Sequence, residues 1–339
     1  MTVATYKCNM EERKAWIDLL RGFCMMAILY FHTEMYYAGK DVVPYACYVD
    51  NALSVFFFIS GYLMLKENST FNAKRKLKSI VRGLIVPYFF FTLVMAFPKA
   101  VMHGQTDNLQ AFFIDVVTGD ASWFASALIT GELAMTLFIK LTRGRTWPLL
   151  SLAVVCSVLS ASLANQLSPW HNECNIWHVN EAMLGCVFMS AGYLYHRYES
   201  QCHARFHNAA AVFIALVALA CTKSAILTQD LEMVFGPVIV SSFAVFLVDN
   251  FSAVILLTAC FRRLPSIAIV EWTGRHSLVY YFICGGVPLL ISAALGRTGL
   301  VCCGFLSVIP VFIIVYATAT VITWLAYRYL PFVLNTKKR

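Results

Sequence analysis

The sequence predicts an all-α polytopic membrane helix bundle with about ten transmembrane helices, on three observations. Of its 339 residues, 60% are hydrophobic and 13% charged, and the mean hydropathy is +0.69. A soluble globular domain does not have that balance, so lipid must solvate most of the chain. Apolar runs of roughly 17–25 residues, long enough to cross a hydrocarbon core as helices, recur from one end to the other. The basic residues gather in alternate loops, the sided pattern that membrane topology imposes on Lys and Arg.

The first span is expected at 17–37. Glu11, Glu12, Arg13 and Lys14 precede it and no small-residue cleavage pattern follows, so it reads as a retained helix and not a cleaved signal. Further spans are expected near 46–65, 83–101, 121–140, 147–164, 179–196, 208–224, 237–260, 276–294 and 303–330. Lys66, Lys74, Arg75, Lys76, Lys78 and Arg82 share one loop; Lys140, Arg143, Arg145, Arg197, Arg205, Arg262, Arg263, Lys337, Lys338 and Arg339 fall on the same side. The opposite loops hold chiefly Lys40, Lys99, Lys223 and Arg297. The positive-inside rule then places both termini in the cytoplasm, and the formal net charge of +8 needs no nucleic-acid partner to explain it.

The stretch from Asn165 to His178 is polar, aromatic and expected to face outward, whereas Leu264 to Arg275 is too short to span and is expected at the cytoplasmic interface. Short loops leave one membrane-embedded domain, 1–339. Of twelve cysteines, Cys24, Cys156, Cys186, Cys221, Cys260 and Cys284 sit in apolar runs and read as free buried thiols. Cys8, Cys202, Cys302 and Cys303 lack zinc-type spacing with histidines, so no metal is expected.

Within the first span, Arg21 and His32 are separated by an interval that returns to within about 20° of one helix face and rises roughly 16 Å. Asp18, Met25 and Ile28 complete the stripe. Ionisable residues are rare in lipid and face a cavity or a partner. His32 titrates near neutrality and can take a proton from a hydroxyl, which makes it a candidate general base. The plainer alternative pairs Asp18 with Arg21 at the interface and leaves His32 as a polar contact between helices.

The basic stretch before Gly83 and Pro87 places Arg75, Lys78 and Arg82 on one face if it is helical, the outline of a polyanion cradle. Topology alone also collects such residues. Glu132 and Asp249, the latter next to Asn250, fall mid-span. Either orients His32 or pairs with Arg21, or each is protonated and bonded to a neighbouring helix. Ser60 and Gly61 suit close helix packing. His171, Glu173 and His178 lack the spacing of a helical metal motif and read as polar surface, or with Trp170 and Trp177 as a platform for a sugar.

Several of these segments form an ordered set: TrpIleAspLeuLeuArgGly at 16–22 with His32, PhePhePheIleSerGlyTyr at 56–62, and the basic stretch ending in Arg82 with ProTyr at 87–88. TrpPhe at 123–124 and GlyArgHisSerLeu at 274–278, followed by Tyr280 and Tyr281, continue it. Over almost the whole chain this order resembles the acyltransferase-3 family of bacterial inner-membrane O-acyltransferases. The resemblance implies that His32 is the essential first-helix histidine and Arg21 its arginine partner. Asp18 beside them is counted with the catalytic residues from its place on the stripe, and Glu132, Asp249, Ser60 and Trp123 are candidate supporting residues. The family's basic pair is two arginines with two residues between them. The nearest match here is Arg75 with Lys78, and Arg82 lies further on; lysine keeps the charge but loses the bidentate fork. Where the family's late motif often ends in histidine this chain has Cys284, which receives no role. The implied donor is acetyl-CoA or another acyl-CoA, and the implied acceptor is a hydroxyl of a cell-surface or lipid-linked glycan. The implied location is the bacterial inner membrane, with membrane lipid as surroundings and a homo-oligomer left open. The competing reading is a transporter or flippase for a glycan or small solute, which would not require a cytoplasmic polyanion site.

Overall fold

A chain solvated by lipid must close its backbone hydrogen bonds internally, and a helix does so within a single segment. The computed structural model describes residues 14–65, 71–102, 109–166, 175–297 and 305–334, and helices dominate them. In chain order they are α1 (Ala15–Tyr37), α2 (Val49–Tyr62), α3 (Ala73–Ile80), α4 (Val86–Met102), α5 (Leu109–Thr118), α6 (Trp123–Leu141), α7 (Thr146–Gln166) and α8 (Val179–Arg197). There follow α9 (Glu199–Phe206), α10 (Ala209–Thr228), α11 (Phe243–Phe261), α12 (Ala268–Arg275), α13 (Ser277–Ile283), α14 (Gly286–Gly296) and α15 (Phe305–Tyr329). One antiparallel hairpin, β1 (Met233–Val234) with β2 (Ile239–Val240), pairs Met233 with Val240.

Among the described residues seven helical stretches are long and apolar enough to cross a membrane, and α13 with α14, bent by 47°, make an eighth. The two remaining expected spans are present as helices but differ in character. Every residue of α2 except Phe56 is buried, Asp50, Asn51 and Ser54 among them, and α8 buries most of its length including Glu181 and Ser190. A helix that faces protein need be neither apolar all round nor long enough to cross the membrane alone, and α2 has only 14 residues. The contact between α2 and α8 is close: a Cβ at Gly61 would lie 1.9 Å from the Met189 carbonyl oxygen, and one at Gly192 would lie 1.9 Å from that of Phe58. Only glycine permits this approach.

Three boundaries differ from expectation. The basic stretch is not a loop before a span at 83–101. It is helix α3, N-capped by Asn72 accepting from the Arg75 N–H at 3.0 Å, and it runs through a wider turn at Val81–Ile85 into α4. Val86 N–H bonds back to the Val81 carbonyl across that turn. Pro87 follows immediately, and proline both lacks an N–H and crowds the carbonyl four residues before it, so the helix widens there. The span expected from 237 instead begins at Phe243, because the residues before it form the hairpin. The segment 264–275 holds α12, which packs on α1 so tightly that a Cβ at Gly274 would lie 1.8 Å from the Asp18 carbonyl oxygen. Of the segment 165–178, residues 167–174 lie outside the described residues, as do Cys8, Cys302 and Cys303.

Side-chain contacts show which helix ends lie together. Lys14, before α1, donates to Tyr62 at the end of α2 and to Glu199 at the start of α9, both at 2.7 Å; Arg262, after α11, also pairs with Glu199. Burial raises the Glu199 carboxyl, but hydrogen bonds from Lys14, Arg262 and Tyr62 outweigh it and hold the pKa down at about 2. This is the basic end of the bundle. The end of α1, the starts of α2 and α6, and the hairpin gather at the other end.

Candidate active site

At the end of the bundle away from Lys14, α1, α2, α4, α6, the hairpin and α13 leave a cavity of about 480 Å³. α1 contributes Ile28, Phe31, His32 and Tyr36, which a helix of 3.6 residues per turn brings to one side. The His32 ring is half-buried, 5.6 Å from the Phe31 ring and 6.3 Å from that of Tyr36, with the second pair near parallel at 18°. Facing it are Asp120, Ser122 and Trp123 at the start of α6, and Tyr281 and Cys284 from α13 and its C-terminus. The Tyr281 hydroxyl accepts from the Phe124 N–H at 3.1 Å and lies 3.2 Å from the Ser122 hydroxyl, which ties α13 to α6 across the cavity. Trp123 is set against the hairpin, where a Cβ at Gly236 would lie 2.3 Å from its ring. The cavity thus offers an imidazole, several hydroxyls, one carboxylate and aromatic walls, a set suited to a small polar molecule with an apolar face.

The stripe expected on α1 divides. His32 and Ile28 line the cavity, while Arg21, about 16 Å lower on the helix, is not among the described residues that line it and donates to Ser277 Oγ at 2.9 Å. Asp18 is 2% exposed and accepts from Arg275 Nε at 3.1 Å, and Arg275 also reaches Glu271 at 2.8 Å. The first-helix segment therefore meets GlyArgHisSerLeu through both Arg21 and Asp18. α12 thus brings a guanidinium, that of Arg275, to the buried Asp18 carboxylate.

Glu132 neither orients His32 nor pairs with Arg21. It accepts from Ser60 Oγ at 2.5 Å and pairs with Lys76 Nζ at 2.9 Å, nearer the basic end. Lys76 is the cation of α3 that turns inward, whereas Arg75 and Lys78 on α3 and Arg82 in the wider turn after it are exposed. Asp249 does not line the His32 cavity either. It accepts from Lys223 Nζ at 2.7 Å, Asn51 Nδ2 at 2.8 Å and Thr222 Oγ1 at 2.7 Å, an arrangement that satisfies a buried carboxylate and joins α10, α11 and α2. A second cavity, of about 550 Å³, opens at the basic end between Phe71, Lys140, Arg143, Tyr193 and Arg197.

Two acids near the cavity were not singled out in the sequence. Glu34 is fully buried and accepts from the Val42 and Val43 N–H groups at 3.1 and 3.4 Å, which fixes the turn after α1. Asp120 had a signal in TrpPhe at 123–124 close by, and His178, expected as polar surface, lies 3.1 Å from it. His171 and Glu173 lie outside the described residues.

Residues 14–328 match the family model described as an acyltransferase domain, that of the acyltransferase-3 family. Neither the curated proteins nor the solved structures returned a match.

Proposed function

The chain belongs to the acyltransferase-3 family, and from that premise we propose that this multi-pass membrane acyltransferase is an O-acyltransferase. It moves an acyl group, acetyl in the first instance, from acyl-CoA to a hydroxyl of a cell-surface or lipid-linked glycan. The observation that carries the reading is the division of the bundle, with an imidazole in a polar and aromatic cavity at one end and a gathering of cations at the other.

An alcohol is a poor nucleophile at neutral pH, and a positioned base raises its rate by about 10²–10⁴-fold. In the proposed step His32 takes the acceptor's hydroxyl proton while the oxygen bonds to the thioester carbonyl carbon. The carbon–sulfur bond breaks, the ester forms, and the thiolate leaves with CoA and is protonated in turn. The phosphates of the donor stay at the basic end, near Arg75 and Lys78 on α3, Arg82 in the turn after it and the cavity that holds Lys140, Arg143 and Arg197, since guanidinium and ammonium groups suit phosphate. The acyl arm passes Arg21 along the ~16 Å of α1 between that end and His32. The concentration of Lys and Arg at this end supports a cytoplasmic orientation for it, in a bacterial inner membrane.

Mass spectrometry of surface glycans from cells with and without the gene tests the reading. A mass difference equal to one or more acyl groups is expected. Identical glycans under conditions where the protein is made would remove the glycan acceptor and favour transport.

A further inference from the structure

Two loops interlock at the rim of the His32 cavity. Gly119, at φ +102°, leads into Asp120, and a Cβ at Gly119 would lie 2.9 Å from Trp177 Cα. On the facing loop Trp177 and His178 both adopt left-handed backbone, with φ of 56° and 48°, a conformation uncommon for residues that carry side chains. Their surroundings hold them there. The Trp177 ring packs 5.3 Å from Tyr88 and 6.0 Å from Phe89, and its carbonyl accepts from Thr130 Oγ1 at 2.9 Å.

The consequence falls on His178. Its Nε2 lies 3.1 Å from Asp120 Oδ1, and its Nδ1 lies 3.3 Å from Glu181 Oε2. Glu181 has a side chain 1% exposed and accepts from Asn175 Nδ2 at 2.6 Å. Asp120, with a side chain 53% exposed, stands in the cavity wall and accepts from Thr118 Oγ1 at 2.6 Å through its other oxygen. The imidazole thus lies between two carboxylates, each facing a different ring nitrogen, and the three groups form a row from the protein interior to the cavity. The reaction through His32 uses none of these groups. A buried carboxylate is costly without a partner, so Glu181 holds the imidazole and the imidazole holds Asp120. A carboxylate has about four acceptor positions, and the contacts to His178 and Thr118 leave Asp120 with capacity to spare.

We propose that Asp120, positioned by His178 and Glu181, binds a hydroxyl of the acceptor other than the one that is acylated, so that the cavity selects a polyhydroxylated acceptor over a simple alcohol. Trp123, whose ring is 6.2 Å from that of His178, then covers an apolar face of the same molecule. The inference rests on the hydroxyl-acceptor reading given above.

The test uses the whole chain in lipid nanodiscs, acyl-CoA donors from acetyl to palmitoyl, and glycan isolated from cells that lack the gene as acceptor. Asp120→Asn should raise the acceptor KM about tenfold or more, as loss of a charge-assisted hydrogen bond implies, with donor KM and kcat within about threefold of the parent. His178→Gln should move the acceptor KM in the same direction, and Asp120→Glu should restore part of it. An unchanged acceptor KM in Asp120→Asn overturns the inference, as does a fall in kcat and melting temperature with every KM unaltered, because that pattern belongs to packing alone. If the parent protein transfers no acyl group to the glycan, the acceptor reading itself fails and the inference falls with it.

Discussion

His32 and Glu34 show how closely two titratable side chains at one helix end can differ. His32 opens into the cavity, while Glu34 is sealed against two backbone N–H groups. The angular arithmetic of α1 puts Arg21 and His32 on one face, and that much was legible, since it needs only a regular helix. The partners were not legible. Asp18 finds Arg275, Glu132 finds Lys76, and Asp249 finds Lys223, and each pairing depends on which helices become neighbours. His178 escaped for the same reason: Glu181 follows it by three residues in α8, but the second carboxylate, Asp120, comes from a distant loop. The proposed base gives the residue-scale prediction. His32→Ala should abolish acyl transfer at normal membrane abundance while donor binding persists, and His32→Asn should not rescue it, because an amide cannot accept the proton. Transfer is measured by acyl-group mass on the glycan; near-native turnover in the asparagine variant would make His32 structural.

Hydropathy places spans over helices that face lipid and over helices that face protein, and does not by itself tell the two apart. α10 and α15 are apolar along their length and their spans were read directly, whereas α2 and α8 carry buried polar residues that only their central position explains. Helix α3 is the instructive case. Its cations fall on different sides, Lys76 into the bundle against Glu132 and Arg75 and Lys78 outward, with Arg82 in the following turn also exposed. Replacing the three outward residues together by alanine should weaken acyl-CoA binding at least about tenfold with folding intact, given charge-assisted contacts worth about 1.5–3 kcal/mol each when formed. Lys76→Ala should instead destabilise the protein, by about 3–5 kcal/mol if Glu132 stays ionised and unpaired. Affinity and thermal unfolding in detergent separate the two. Unchanged affinity in the triple variant would return the outward cations to a purely topological role and leave the phosphates to Lys140, Arg143 and Arg197.

At the scale of the whole molecule, the loop charges and the observed contacts agree on one asymmetry. Lys14, Arg262 and Glu199 meet at one end, and Tyr327 near the end of α15 packs 4.3 Å from His276 beside the Arg21 contact, while the His32 cavity opens at the other end. The central claim is that an acyl group enters from the basic end and is delivered to a hydroxyl in that cavity. Vesicles reconstituted with the purified chain, sorted by the side on which a tag after Arg339 is exposed and given labelled acyl-CoA outside together with unacylated glycan on both sides, test it most directly. Label should reach the glycan in vesicles that expose the tag, and only background should appear in those that hide it. Equal labelling in both populations, labelling confined to vesicles that hide the tag, or no labelling in either would contradict the claim.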